Sequence, residues 1–186
     1  MSTATERIEP ISEEFVRSDK DYLYEIVDGQ SLEKPRMGAE ADLVIVELIA
    51  IIKGHAAGRL GRCFSGHCGY QIFADDPGRV RYPDVSFIRS GRLPGNKAPK
   101  GHVQVVPDLV VEVVSPNDKA ENVDERLTDF LRAGVPLAWM IYPSSKQVYV
   151  FHQGPAALRL GLGDILDGED VLPGFACPLN DLFAAI

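Results

Sequence analysis

Cysteine is scarce in this chain: Cys63, Cys68 and Cys177 are an odd set of three in 186 residues. Such a set excludes a disulfide framework and fits reduced thiols in a cytosol. Cys63 and Cys68 lie close to His67 in "CFSGHC", but no second ligand pair follows, so the stretch reads as strand and loop rather than a zinc site. Long apolar runs are also missing, and none reaches the roughly 18 residues of a membrane span. The opening "MSTATERIEPISEEF" has neither the basic nor the apolar region of a signal peptide. A cytoplasmic protein with no membrane partner is therefore expected. Positive charge is in deficit: 19 Lys and Arg stand against 27 Asp and Glu, giving a net charge of −8. That argues against a general electrostatic grip on nucleic acid, while leaving room for a local basic groove. No serine-nucleophile motif stands near any histidine, and the Gly-rich "GRLGRCFSGHCG" lacks the Lys-Ser/Thr ending of a phosphate loop.

What is present is an ordinary globular composition, 45% hydrophobic and 25% charged, with length for one domain and a sizeable core. Residues 1–20 read as a loose polar arm and 21–186 as one domain. "YLYEIVDGQSLEKP" (22–35) is a hairpin candidate, because Asp28-Gly29 is a strong two-residue turn signal. Within it Glu25 shares a strand face with Leu23 and Val27. Residues 38–58 form a helix so apolar around its circumference that it should be largely buried. Two or three strands follow, then a Gly/Pro/Lys loop, "GRLPGNKAPKGHVQVVP", the most basic segment. "NDKAENVDERLTDFLRAG" is an amphipathic helix with Asn117 or Asp118 as cap and Gly134 as its stop. Two more strands and a tail of turns complete an α/β fold: a central mixed sheet flanked by helices.

The chemistry concentrates in "PDLVVEVVSP", where Asp108 opens an apolar strand and Glu112 sits in its middle. Burying a lone carboxylate costs several kcal/mol unless it is paired, protonated or metal-bound. "RYPDVSFI" repeats the device with Asp84. If the two strands are neighbours, Asp84 and Glu112 converge and offer oxygen ligands to Mg²⁺ or Mn²⁺, which suits phosphodiester chemistry. The competing reading is structural: a strand-terminal Asp often serves a turn, and a buried Glu often serves an ion pair. It weighs most on Asp108.

"RVRYPDVSFI", "PDLVVEVVSPND", "FLRAGVPLAWMIYP" and "LDGEDVLPGFACPLNDLF", with "YEIVDG" and "KPRMGAEAD" before them, resemble in order and spacing the bacterial family of putative restriction endonucleases. That family sits within the PD-(D/E)XK nuclease superfamily. The resemblance implies a restriction endonuclease-like α-β-β-β-α-β core with an N-terminal hairpin, and Mg²⁺-dependent hydrolysis of DNA, often by homodimers. It maps the superfamily's metal acids to Asp84 and Glu112, assisted by the Val113 carbonyl, with Glu25, Glu40 or Glu47 completing the site. Two departures stand out. The motif's lysine position holds Val114, and the helix position where a lysine substitutes holds Arg126, which keeps the charge but cannot act as a base. Lys119, at the start of the same helix, is a candidate stand-in, and a family tyrosine is replaced by Phe130. The alternative function is a nucleic-acid-binding module or scaffold that keeps the fold without turnover.

Overall fold

The structure, a computed structural model, describes residues 23–34 and 37–186. The arm expected over residues 1–20 lies outside the described residues. Strands β1 (Leu23–Val27) and β2 (Gln30–Lys34) pair antiparallel, and Asp28 and Gly29 turn between them with φ of 49° and 71°. Positive φ at both turn residues is what a tight two-residue hairpin requires.

Helix α1 (Ala39–Ala56) buries Ala41, Val44, Leu48, Ile52 and Ala56, a stripe at helical spacing, and stops where Ala57 and Gly58 turn left-handed. The expectation that α1 would be largely buried is corrected here. Leu43 is 43% and Val46 53% exposed, because the helix lies on one face of the sheet with nothing described beyond it.

A six-stranded sheet follows in the order β3 (Gly61–Ser65), β4 (Val85–Arg89), β5 (Leu109–Val113), β6 (Leu137–Tyr142), β7 (Gln147–Phe151), β8 (Ala157–Leu160). β5 and β6 run parallel, joined by helix α2 (Ala120–Arg132) as the crossover that parallel pairing demands; the other neighbours are antiparallel. Strands β9 (Ile165–Asp167) and β10 (Ala176–Pro178) and the short helix α3 (Leu179–Leu182) close the chain. Among the described residues no helix is long and apolar enough to cross a membrane.

Strand alternation then sorts the sheet into two faces. Phe87, Leu109, Val111, Trp139 and Ile141 join one core with α1 and the tail, where Phe175 stacks on Trp139 at 5.8 Å. On the opposite face, Ala138 and Met140 pack against Val123 and Leu127 of α2, and Val110 against Phe130. α2 starts later than its cap signals predict: Lys119 is its N-cap and offers no side-chain bond, while Asp118 accepts the Ser115 N–H at 2.8 Å.

Candidate active site

Asp84 and Glu112 meet because β4 and β5 are antiparallel neighbours, so the start of one lies beside the end of the other. Proline at 83 and 107 leads the chain extended into each strand. Asp84 is 3% exposed and Glu112 fully buried. Each carboxylate is anchored by one oxygen. Asp84 Oδ2 accepts the Val113 N–H at 2.8 Å, and Glu112 Oε2 accepts Arg126 Nε at 3.0 Å. The other oxygens differ: Asp84 Oδ1 takes Lys34 Nζ at 2.8 Å, whereas Glu112 Oε1 is buried with no hydrogen-bond partner among the described residues. Lys34 also lies 3.9 Å from Glu112 Oε2, so one ammonium serves both acids.

Lys34 was not foreseen in the sequence. It ends β2, fifty residues before Asp84, and reaches the site because the hairpin docks on the segment leading into β4. Ile26 and Val80 exchange backbone bonds at 3.1 and 2.8 Å, and Lys34 Nζ also donates to the Tyr82 carbonyl at 2.9 Å. A second buried network holds the hairpin down. Arg81 donates to Glu25 at 2.9 Å and to Asp129 of α2, while Glu25 accepts the Tyr82 N–H at 3.0 Å. Arg79 reaches Asp129 at 3.0 Å beside it.

Burial pushes the Glu112 carboxyl up to about 7; Arg126 and Lys34 pull against that shift, while Asp84 and Glu25 add to it. For Lys34 burial opposes the charge, but Glu112 and Asp84 outweigh it and hold the ammonium above its ordinary value. Arg126 is likewise held charged, burial being overcome by Glu112, Glu25 and Asp84.

Of the residues singled out in the sequence, the fold brings Asp84, Glu112, Val113 and Arg126 together. Glu25 pairs with Arg81 and accepts the N–H of Tyr82, whose carbonyl takes the Lys34 ammonium. Glu40 and Glu47 are exposed on α1, and Lys119 is exposed as the N-cap of α2. Val114 stands where the superfamily motif would place lysine, on the same strand face as Glu112.

The donor set suits a hard cation. Two carboxylates offer oxygen donors, and Glu112 Oε1 lacks a hydrogen-bond partner among the described residues. No third His, Cys, Asp or Glu joins a metal-holding group among the described residues. Two acids are still enough for Mg²⁺, which usually keeps several waters and takes substrate phosphate oxygens.

A sheet of this order with acids at the β4–β5 junction defines a restriction endonuclease-like fold. The same fold occurs in the crystal structure of a putative nuclease belonging to DUF820 from Anabaena variabilis ATCC 29413, with a TM-score of 0.76 and 20% identity; the match covers 94% of this chain and 98% of that one. The chain belongs to the Uma2 family, described as putative restriction endonucleases, whose model matches residues 12–180. No curated protein matches the sequence.

Proposed function

We propose that the chain is a divalent-metal-dependent endonuclease hydrolysing phosphodiester bonds in DNA. The observation that carries this reading is the trio of Asp84, Glu112 and Lys34. These are the residue types of the PD-(D/E)XK motif, with the lysine delivered by the hairpin instead of by the position after next from Glu112. Asp84, Glu112 and the Val113 carbonyl would hold Mg²⁺ or Mn²⁺, which would supply Lewis-acid charge at the scissile phosphate.

This chain's own side chains supply the rest. The Val113 N–H and Arg126 each fix one carboxylate oxygen, so that Asp84 Oδ1 and Glu112 Oε1 face the site. Lys34 and Arg126 add positive charge where negative charge develops on phosphorus-bound oxygens. With its proton held by two acids, Lys34 works as an electrostatic group rather than a base. Arg126 has the same limit.

Cleavage of supercoiled, linear and single-stranded DNA with Mg²⁺ or Mn²⁺ tests the proposal, with Asp84→Ala and Glu112→Ala as controls of retained fold. Cleavage that vanishes in both variants is the expected result; no cleavage by the wild-type chain on any of the three sinks it. One observation favours a binding module without turnover: Lys34 and Arg126 already offset both acids. DNA binding without cleavage would select that reading.

A further inference from the structure

Acidic as the chain is, its negative charge is unevenly spread. Residues 48–74 and 85–107 contain no Asp or Glu at all. These segments surround β3, the sheet's edge strand, and β4 beside it. Lys53, Arg59, Arg62, Lys97 and Lys100 are exposed there. The two basic loops are tied together at one end of β3: Arg62 Nη2 donates to the Asn96 carbonyl at 3.0 Å, and Ser90 Oγ to the Arg59 carbonyl at 2.8 Å. At the other end, Ser65 pairs with Val85, one residue from Asp84. The loop continues past it so closely that a Cβ on Gly66 would lie 3.6 Å from Asp84 Cα.

Two clefts flank this edge and share Phe64. One of about 210 Å³ is lined by Lys53, Arg62 and Phe64. The other, of about 510 Å³, lies nearer Asp84 and is lined by Phe64, His67, Lys100 and His102. His102 meets Tyr82 edge-to-face at 6.1 Å, so the wall of the larger cleft continues into the segment that bonds Lys34. Gly69 permits this approach, since a Cβ there would sit 2.6 Å from His102 Nδ1. Register places Arg62 and Phe64 opposite Ile88 and Ser86, on the sheet face that also carries Asp84 and Glu112.

We infer that the β3 edge is the track for a single nucleic-acid strand, its phosphates on Arg62 and Lys100 and one unpaired nucleotide in the Phe64–His67–His102 cleft, leading to Asp84. Charge complementarity selects a polyanion. The cleft volume is that of a small-ligand site, too narrow for a duplex, and rings beside cations are how single strands are held. The inference deepens the nuclease reading by naming the form of its substrate.

The test is fluorescence anisotropy in EDTA, with the full-length chain and a fluorescein-labelled 20-nucleotide DNA, single-stranded and as duplex. Arg62→Glu and Lys100→Glu should each weaken single-strand binding about tenfold or more and make its salt dependence shallower. Arg159→Glu, an equal charge change on β8 at the opposite sheet edge, should leave binding unchanged. Thermal melts check that each variant folds. Binding equal to wild type in both edge variants overturns the inference, as does an equal loss in Arg159→Glu. Duplex binding as tight as single-strand binding overturns the unpaired-nucleotide cleft. Asp84→Asn separates the two proposals. Edge-dependent binding with no cleavage by the wild type fails only the nuclease reading. Cleavage that needs Asp84 but is indifferent to Arg62 and Lys100 fails only this one.

Discussion

β5 carries a buried acid near each end, and the protein treats them oppositely. At one end Asp108 is saturated: it accepts the Arg89 N–H at 2.9 Å and Arg89 Nε at 2.6 Å, and pairs with Arg92 Nη1 at 2.7 Å. Four residues on, Glu112 has one oxygen served by Arg126 and another with no partner among the described residues, and its carboxyl rises to about 7. Asp108 immediately precedes the strand that holds Glu112, and both are fully buried. Satisfaction of the oxygens, not depth, separates a fastener from a site under tension, and strained titration of this kind concentrates where chemistry is done.

The contrast can be broken most forcefully by conservative substitution. Asp84→Asn and Glu112→Gln should each lower cleavage by a factor of about 1,000 or more while circular dichroism stays native, a loss of about 4 kcal/mol in transition-state stabilisation. If either variant cleaves at the wild-type rate, the site lies elsewhere.

The pH dependence is the next largest effect. The folded Glu112 carboxyl keeps its proton up to about 7, whereas an unperturbed one releases it near 4.5. Between those values the folded state binds more protons, so stability falls as pH rises through the window, by roughly 3 kcal/mol at 1.36 kcal/mol per unit. Denaturant melts of metal-free protein from pH 4.5 to 8 should show this slope, and Glu112→Gln should lack it. Lys34→Met should then reduce cleavage about 100-fold at constant fold, from loss of charge at the phosphate; unchanged turnover would reduce Lys34 to a structural counter-ion.

At the other end of β5 the expected effect is on stability alone. Asp108→Ala should cost about 2 kcal/mol in urea unfolding, because its hydrogen bonds are charged but its arginines are half exposed and screened. Cleavage per folded molecule should be untouched. The smallest effect is a rescue: Val114→Lys in a Lys34→Met background should recover about fivefold of lost activity, by returning the cation to the strand.

Much of this was legible in the sequence because it is local. Asp28-Gly29 announces its hairpin, Val123, Leu127 and Phe130 announce the buried face of α2, and proline before each aspartate marks the strand entries. Asp84 and Glu112 stood out because acids interrupt apolar runs. Lys34 left no such mark. It is an ordinary charged residue near the end of a polar strand, and its burial is decided by docking between segments fifty residues apart. The exposed side of α1 was illegible for a related reason, since periodicity shows which residues are apolar but not how many neighbours arrive to cover them. Asp118 was misread as a helix cap because local bonds to the Ser115 N–H compete with that role.

The hairpin holding Lys34 pairs with itself rather than with the six-stranded sheet, and among the described residues its attachment includes a β-bridge, buried ion pairs and hydrogen bonds to Tyr82. The acids and the cation that partners them thus belong to separately built pieces: Asp84 and Glu112 to the six-stranded sheet, Lys34 to a hairpin that docks against it.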